Sequence, residues 1–170
     1  MDTSLDPRLT AHYEVGHAVI MHELGATIRL VSIVPGVDNG GRCIPDSSVP
    51  IARRGLLWKI VGAGPSQPVS RKQYVDWQVK EAIYLDGKIV QGRFLGTSSV
   101  PYALIRQDSM AAWKIAEEAT RSPIEAEQFD SLALNWVCQR LEKKWPVIRA
   151  FADALLQLDS PRSLVTMPTG

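Results

Sequence analysis

The sequence predicts a single α+β domain that is predominantly helical and carries one small β element. Apolar residues recur at helical spacings of three and four in several segments, whereas residues 27–34 are β-branched and typical of a strand. The length of 170 residues suits one domain with a sizeable core. Hydrophobic residues make up 45% of the chain and charged residues 22%, which is typical of a globular protein.

Charge and composition exclude several classes of protein. The net charge is +1, so nothing indicates a nucleic-acid partner or an anionic membrane surface. No apolar run approaches the roughly 18 residues of a membrane segment, and residues 1–8 do not resemble a signal peptide. Cys43 and Cys138 are too few for a disulfide framework and lack metal-ligand spacing. We therefore expect reduced thiols and a cytoplasmic location.

The first helix is predicted over residues 9–25, with the sequence LTAHYEVGHAVIMHELG. Its apolar side chains fall mostly three and four residues apart, as one buried helix face requires. Pro7 suits a first helical turn and Gly25 a C-terminal stop. All three histidines of the protein lie in this segment: His12, His17 and His22.

Within this helix, residues 13–17 follow the zincin pattern His-Glu-x-x-His, except that Tyr13 stands in place of the first histidine. Positions i and i+4 share a helix face, so two imidazoles there can bind one zinc ion. The glutamate after the first histidine can then deprotonate the metal-bound water. Here Glu14 and His17 are present, but a phenol with an ordinary pKa of about 10 is a poor substitute for imidazole. The pattern predicts an impaired zinc site.

The other two histidines do not restore the pair by simple geometry. His12 and His22 each lie five residues from His17, which places the side chains about 140° apart around a helix. We interpret both as surface or internally bonded histidines. Two alternatives stay open: a distorted helix could bring His12 to the metal as a substitute ligand, or Tyr13 could bind as a phenolate acidified by the metal.

The β element is predicted to follow the first helix. Residues 27–34 form a strand, turn residues over 35–41 end it, and residues 42–44 return as a short second strand. If the protein binds a peptide, the edge of the 27–34 strand is the expected place, by strand addition. A plain core strand is the open alternative.

The next segments carry weaker signals. Residues 45–52, with two prolines and two serines, predict a loop, and residues 53–61 are either a short helix or a buried strand, with the helix preferred. Residues 62–68 are a break. Their glycines do not make a phosphate-binding loop, because Gln67 stands where that motif needs its second glycine.

Helical spacing predicts three further helices, over residues 73–94, 108–119 and 124–158. We expect a loop at 97–107 and a kink or split at Pro146, because proline removes a helix hydrogen bond. The tail from residue 160 is expected to fray. Met110, Trp113 and Ile115 are expected on the inner side of their helix. All five tryptophans are interpreted as core residues: Trp58, Trp77, Trp113, Trp136 and Trp145.

Three blocks of sequence occur in an order and spacing that resemble a known family. Residues 11–25 and the strand 31–35 are similar to a Tyr-His-Glu-Ala-Gly-His-Ala helix followed by Val-x-Ile-x-Pro. Residues 83–96 are similar to a Leu-Ala-Gly-Arg-Ala-Ala-Glu helix, and residues 107–112 to Asn-Asp-Ile-x-x-Ala. These blocks, with the ending at 144–155, resemble the peptidase domain of FtsH-type ATP-dependent zinc metallopeptidases, in particular short stand-alone relatives.

The resemblance implies a zincin-like fold and hydrolysis of peptide or unfolded-protein substrates at zinc. It implies Glu14 as the general base and His17 and Asp108 as metal ligands, with Tyr13 at the position of the missing ligand. The same Asp108 could instead be an ordinary helix N-cap. The family's peptidase domains form rings, so a homo-oligomer is possible. Its ATPase module and membrane anchor have no counterpart in this sequence.

Three departures from the family pattern fall near the expected metal. Lys88 replaces an arginine, Gln91 replaces a glutamate and Asp86 replaces a small residue. We therefore expect a metallopeptidase-like domain that is weakly active or inactive, with zinc as the cofactor if it is active and no cofactor otherwise. The alternative is a non-catalytic peptide- or protein-binding module that retains the peptidase fold.

Overall fold

The computed structural model describes residues 6–33, 41–46, 56–60, 69–97 and 102–158. Over these ranges the chain is predominantly helical with a two-stranded sheet, which confirms the expected α+β class. The elements in chain order are α1 (Pro7–Glu23), β1 (Ile28–Ser32), β2 (Arg42–Pro45), α2 (Arg71–Leu95), α3 (Tyr102–Ala119) and α4 (Pro123–Gln157).

Helix α1 has the predicted boundary residues, but it spans Pro7–Glu23 and so begins and ends two residues earlier than the predicted 9–25. The Asp6 side chain caps it by accepting a hydrogen bond of 2.9 Å from the backbone N–H of Arg8, and Pro7 occupies the first turn. Gly25 lies just after the end with φ of 90°, a left-handed conformation that favours glycine.

The sheet pairs β1 and β2 in antiparallel register, from Ile28 opposite Pro45 to Ser32 opposite Arg42. The predicted second strand is therefore confirmed. It extends to Pro45, which we expected to lie in a loop. The predicted turn lies mostly outside the described residues, and the sheet packs against α1.

Helix α2 has the clearest boundary signals. Ser70 accepts a hydrogen bond of 3.2 Å from the N–H of Gln73, and Gly96 ends the helix at φ of 66°. The helix predicted over 73–94 is thus confirmed, with one or two more residues at each end.

Helix α3 overturns three expectations. It begins at Tyr102, so residues 102–107 are helical rather than a loop, and Asp108 lies inside the helix and is not its N-cap. Met110 and Trp113 are 55% and 37% exposed, so they do not face inward. The reason is that the inner face is built from Ile115 and small alanines, which let neighbouring helices approach closely: Ala112, Ala116 and Ala119.

Helix α4 is continuous through Pro146, so the expectation that it splits there is wrong. Proline removes the amide donor to the carbonyl four residues earlier. Both Pro146 and Glu142 are exposed, so that carbonyl is not sealed in the core. Ser122 caps the helix with a hydrogen bond of 3.3 Å from the N–H of Glu125.

The preferred helix at 53–61 is also wrong where it can be compared, because residues 56–60 form neither helix nor strand. Leu56 and Ile60 are nevertheless buried, and burial of an irregular segment explains their apolar spacing. The break at 62–68, residues 47–52 of the predicted loop and the tail from 160 lie outside the described residues.

The main core lies between α1, α2, α4 and the inner face of β1. Its largest fully buried side chains in these elements include Ile20, Leu141 and Ile148. Trp58, Trp136 and Trp145 pack against this core and Trp77 against a second cluster, as expected, whereas Trp113 does not. None of the helices in the described ranges carries an apolar stretch long enough to cross a membrane.

Candidate active site

Side chains from three helices meet at one polar cluster beside the sheet. We call Tyr13, Glu14, His17, Asp86 and Asp108 the polar cluster. The Tyr13 hydroxyl donates a hydrogen bond to Oδ2 of Asp108, which joins α1 to α3. The Tyr13 ring meets the His17 ring edge to face, with centroids 4.4 Å apart. The structure therefore brings together the residues that the sequence predicted as site residues.

His17 forms a buried ion pair with Asp86 of α2. Nδ1 of His17 lies 2.6 Å from Oδ1 of Asp86, and the two residues are 9% and 0% exposed. Burial lowers the pKa of His17, but the charge and hydrogen bond of Asp86, together with the charges of Glu14 and Asp108, outweigh this effect, so the pKa rises to about 9. Burial raises the pKa of Asp86 and His17 opposes the rise, leaving it at about 6. Both groups are therefore charged near pH 7.

Sequence reasoning missed the role of Asp86. The available signal was a carboxylate at a position where the family has a small residue. The ion pair occupies Nδ1 and leaves Nε2 as the remaining nitrogen of the His17 ring. Metal-binding histidines are commonly oriented in this way by a carboxylate behind them. Asp86 is therefore compatible with a metal on the far side of the ring and does not itself block one.

Glu14 is the predicted general base, and it lies beneath the start of β2. Its residue is 6% exposed, and a Cβ added at Gly41 would lie 2.7 Å from its Cγ. Burial raises the pKa of Glu14 to about 7, with His17 opposing the shift and Asp86 adding to it. A pKa near the working pH suits a general base, so what opposes this role for Glu14 is its burial rather than its acidity.

Tyr13 keeps its proton. Burial raises its pKa well above the ordinary value, and the charge and hydrogen bond of Asp108 raise it further. The tyrosine ring also needs Gly87 beneath it, because a Cβ at that position would overlap Cε2 of the ring. The phenol is therefore held in place as a protonated hydrogen-bond donor, whereas metal binding would require the phenolate.

Cys43 of β2 lies near this cluster but does not supply a nucleophile. Its Sγ is 4.0 Å from Sδ of Met21, and burial, then Glu14 and Asp86, raise the pKa of the thiol. A reactive cysteine needs a lowered pKa, so cysteine–histidine catalysis is not supported here. Cys43 and Cys138 are both free thiols, as expected.

The remaining histidines lie elsewhere. Nδ1 of His12 donates a hydrogen bond of 2.8 Å to the carbonyl oxygen of Arg8, and its ring packs on Phe94 with centroids 4.5 Å apart. His22 is exposed. The structure gives His12 an internally bonded position, as the simpler interpretation predicted, and does not place it with His17 and Asp108.

The donor set of the polar cluster is short of a catalytic zinc site. Nε2 of His17 and an oxygen of Asp108 are the donors that the motif leaves, whereas catalytic zinc uses three protein ligands. In the part of the chain that the structure describes, no group of three or more His, Cys, Asp and Glu side chains could hold a metal ion.

Comparison of the chain with models of known protein families and with curated protein sequences finds no match.

Proposed function

We propose that this protein is a zincin-like, FtsH-type peptidase domain with an impaired metal site, weakly active or inactive in peptide-bond hydrolysis. The observation that carries the proposal is the hydrogen bond from the Tyr13 hydroxyl to Asp108. It supports the peptidase layout because it brings Asp108 to the first ligand position of the motif on α1. It supports the impairment because a proton lies between the two groups where a metal would bind.

Chemistry at the cluster argues in the same direction. A metal at this point would need Tyr13 to lose its proton, yet burial and Asp108 hold that proton in place. The general base would need Glu14 to be ionised and to reach water, yet it is covered by the start of β2. Loss of one catalytic element would slow hydrolysis, and here two elements depart from what the reaction needs.

A second candidate function is peptide or protein binding without catalysis, and β1 favours it. Among the described strands, β1 has one neighbour, β2, so no described strand lies along its other edge. Ile28 and Val31 anchor the strand in the core, whereas Arg29 is exposed. A peptide could add to that edge by backbone hydrogen bonds, with specificity from alternate side chains.

The test compares metal binding and hydrolysis in three proteins: the wild type, Tyr13→His and Tyr13→Phe. We expect the wild type to hold less than one zinc per chain by elemental analysis and to cleave unfolded casein slowly or not at all. Tyr13→His should bind zinc at least about tenfold more tightly, because it restores the i, i+4 pair. Tyr13→Phe is the matched control, since it removes the hydroxyl and adds no ligand.

Stoichiometric zinc in the wild type would overturn the proposal if His17→Ala removed the metal and Glu14→Gln abolished casein cleavage. No gain of zinc binding in Tyr13→His would show that the cluster is not arranged as a peptidase site. Assembly into a ring stays a separate prediction, and light scattering during size-exclusion chromatography measures it.

A further inference from the structure

A second polar region lies on an adjacent face of α1 and contains none of the residues of the polar cluster. It is a cleft of about 380 Å³ where the start of α1, the end of α2 and the last part of α4 meet. We call it the arginine cleft. It is lined by Arg8, His12, Arg93, Phe94, Trp145, Arg149 and Asp153.

The positive charge of the cleft is not neutralised by neighbouring carboxylates. In the described part of the chain, none of Arg8, Arg93 and Arg149 takes part in an ion pair. Asp153 is the one acidic residue among the described residues of the lining, and these residues together carry a net charge of about +2 while the whole chain carries +1. Guanidinium groups that line one cleft and have no described ion-pair partner attract an anion.

Helix stability explains Arg93, which lies in the last turn of α2 where a cation suits the helix dipole, but it does not explain Arg8. Arg8 lies in the first turn of α1, which contains no acidic residue, and a cation there opposes the helix dipole. On α4, Arg149 follows Trp145 by four residues, so the spacing places both on one helix face. Side chains of the three helices thus place positive charge and aromatic surface in the same cleft.

Aromatic rings form the apolar wall of the cleft and orient the charges. The guanidinium of Arg93 lies 4.9 Å from the centre of the Trp145 ring, a cation–π contact that limits its motion. His12 packs against Phe94 and, with centroids 5.9 Å apart, against Trp145. Its Nδ1 is bonded to the backbone, which leaves Nε2 as the ring atom available to a ligand.

We propose that the arginine cleft binds a small phosphorylated compound. Arg8, Arg93 and Arg149 hold the phosphate, and Phe94 and Trp145 contact its organic part. One guanidinium group can bind two oxygens of a phosphate through two parallel hydrogen bonds. A lysine ammonium group does not offer this paired geometry. The volume is within the range of small-molecule sites, and the charged lining favours a dianion over a neutral ligand.

Isothermal titration calorimetry with three probes tests this proposal: adenosine 5′-monophosphate, inorganic phosphate and adenosine. We expect the nucleotide to bind and adenosine to bind at least about tenfold more weakly, because it lacks the phosphate. Inorganic phosphate should compete with the nucleotide. Equal affinity for the nucleotide and for phosphate identifies the anion alone as the ligand. Adenosine that binds as well as the nucleotide, or no binding by any probe, overturns the proposal.

Matched charge variants locate the site. Arg149→Gln should weaken nucleotide binding at least about tenfold, and the same change at Arg8 should act in the same direction. Arg140→Gln is the control, since Arg140 is an exposed arginine of the same helix that lies outside the cleft, over Trp136 and 3.7 Å from the Glu23 carboxylate. Equal losses in the cleft variant and in Arg140→Gln would overturn the assignment. Thermal unfolding confirms that each variant is folded.

Discussion

The polar cluster and the arginine cleft are built from neighbouring residues of the same helix, yet they follow opposite rules. Tyr13 faces the cluster and His12 faces the cleft, since successive residues of a helix point about 100° apart. In the cluster, His17 pairs with the buried Asp86, and the Tyr13 hydroxyl donates its hydrogen bond to Asp108. In the cleft, the arginines have no ion-pair partner among the described residues.

This difference distinguishes polar groups that stabilise the fold from polar groups that are available to bind a ligand. Groups that satisfy one another, as His17 and Asp86 do, contribute to folding and have little left to offer a ligand. Groups left unpaired at the surface contribute little to stability and remain available to a partner. Stability measurements should therefore distinguish the two regions, and the variants below are ordered from the largest expected effect to the smallest.

His17→Ala should have the largest effect. It leaves Asp86 buried without its cation, and breaking a buried pair in this way typically costs about 3–5 kcal/mol. We expect a loss of this order in the free energy of unfolding at pH 7, measured by urea denaturation. His22→Ala is the control, because that exposed histidine lies on the same helix. A loss below about 1 kcal/mol would mean that the pair is solvated, and it would contradict the difference proposed between the polar cluster and the arginine cleft.

Glu81→Gln extends the comparison to a buried carboxylic acid that has no cation beside it. The neighbour of Glu81 is another acid, Asp130. Glu81 is 0% exposed, and burial, then Asp130, raise its pKa from 4.5 to about 9. The folded state therefore binds this proton more tightly than the unfolded state. The resulting stability is complete below about pH 4.5 and is lost as pH rises towards 9.

The glutamine has no proton to lose. Each pH unit between the two pKa values changes the free energy by about 1.4 kcal/mol, so Glu81→Gln should raise the free energy of unfolding by about 4 kcal/mol at pH 8 and change it little at pH 5. Urea denaturation at the two pH values measures both differences. Glu117→Gln, at an exposed position of α3, is the control. An equal change at both pH values would contradict the assigned pKa.

Gly87→Ala should come next. The added methyl group overlaps the Tyr13 ring, and overpacking of this kind costs about 1–3 kcal/mol. Tyr13→Ala makes room for the same methyl group, so the double variant should lose less stability than the two single losses combined. Strictly additive losses would show that the glycine and the tyrosine do not contact each other in solution.

Arg149→Gln should have the smallest effect on folding. The residue is exposed and forms no ion pair in the described structure, so we expect a change within about 0.5 kcal/mol. The expectation is paired with the loss of nucleotide binding described above. A stability loss as large as that of His17→Ala would show that the two regions do not differ in the way proposed.

The sequence predicted the polar cluster better than the arginine cleft for a physical reason. Tyr13, Glu14 and His17 form a local motif, and their spacing within one helix predicts how they are placed. The ligand role of Asp108 was predicted from the family resemblance. The role of Asp86 required knowing that α2 crosses α1 beside His17. Local patterns do not report such crossings.

The cleft had no local pattern at all. Arg8 and Arg93 are 85 positions apart in the chain, and Arg149 lies on yet another helix. Elsewhere, local signals did well when they described caps, as Ser70 and Gly96 did for α2. They failed at residues 56–60, where burial rather than helix formation explains the apolar spacing.

The crossing of α1 and α2 has one further consequence. Each helix offers a glycine to a side chain of the other: Gly87 lies under Tyr13, and Gly16 lies under Val90, whose Cγ2 would be 2.5 Å from an added Cβ. This reciprocal interlock fixes the register of the two helices, so neither can slide along the other without a clash. A substitution at position 13 therefore also affects the packing at position 87, and Tyr13→His would leave unfilled space beside Gly87.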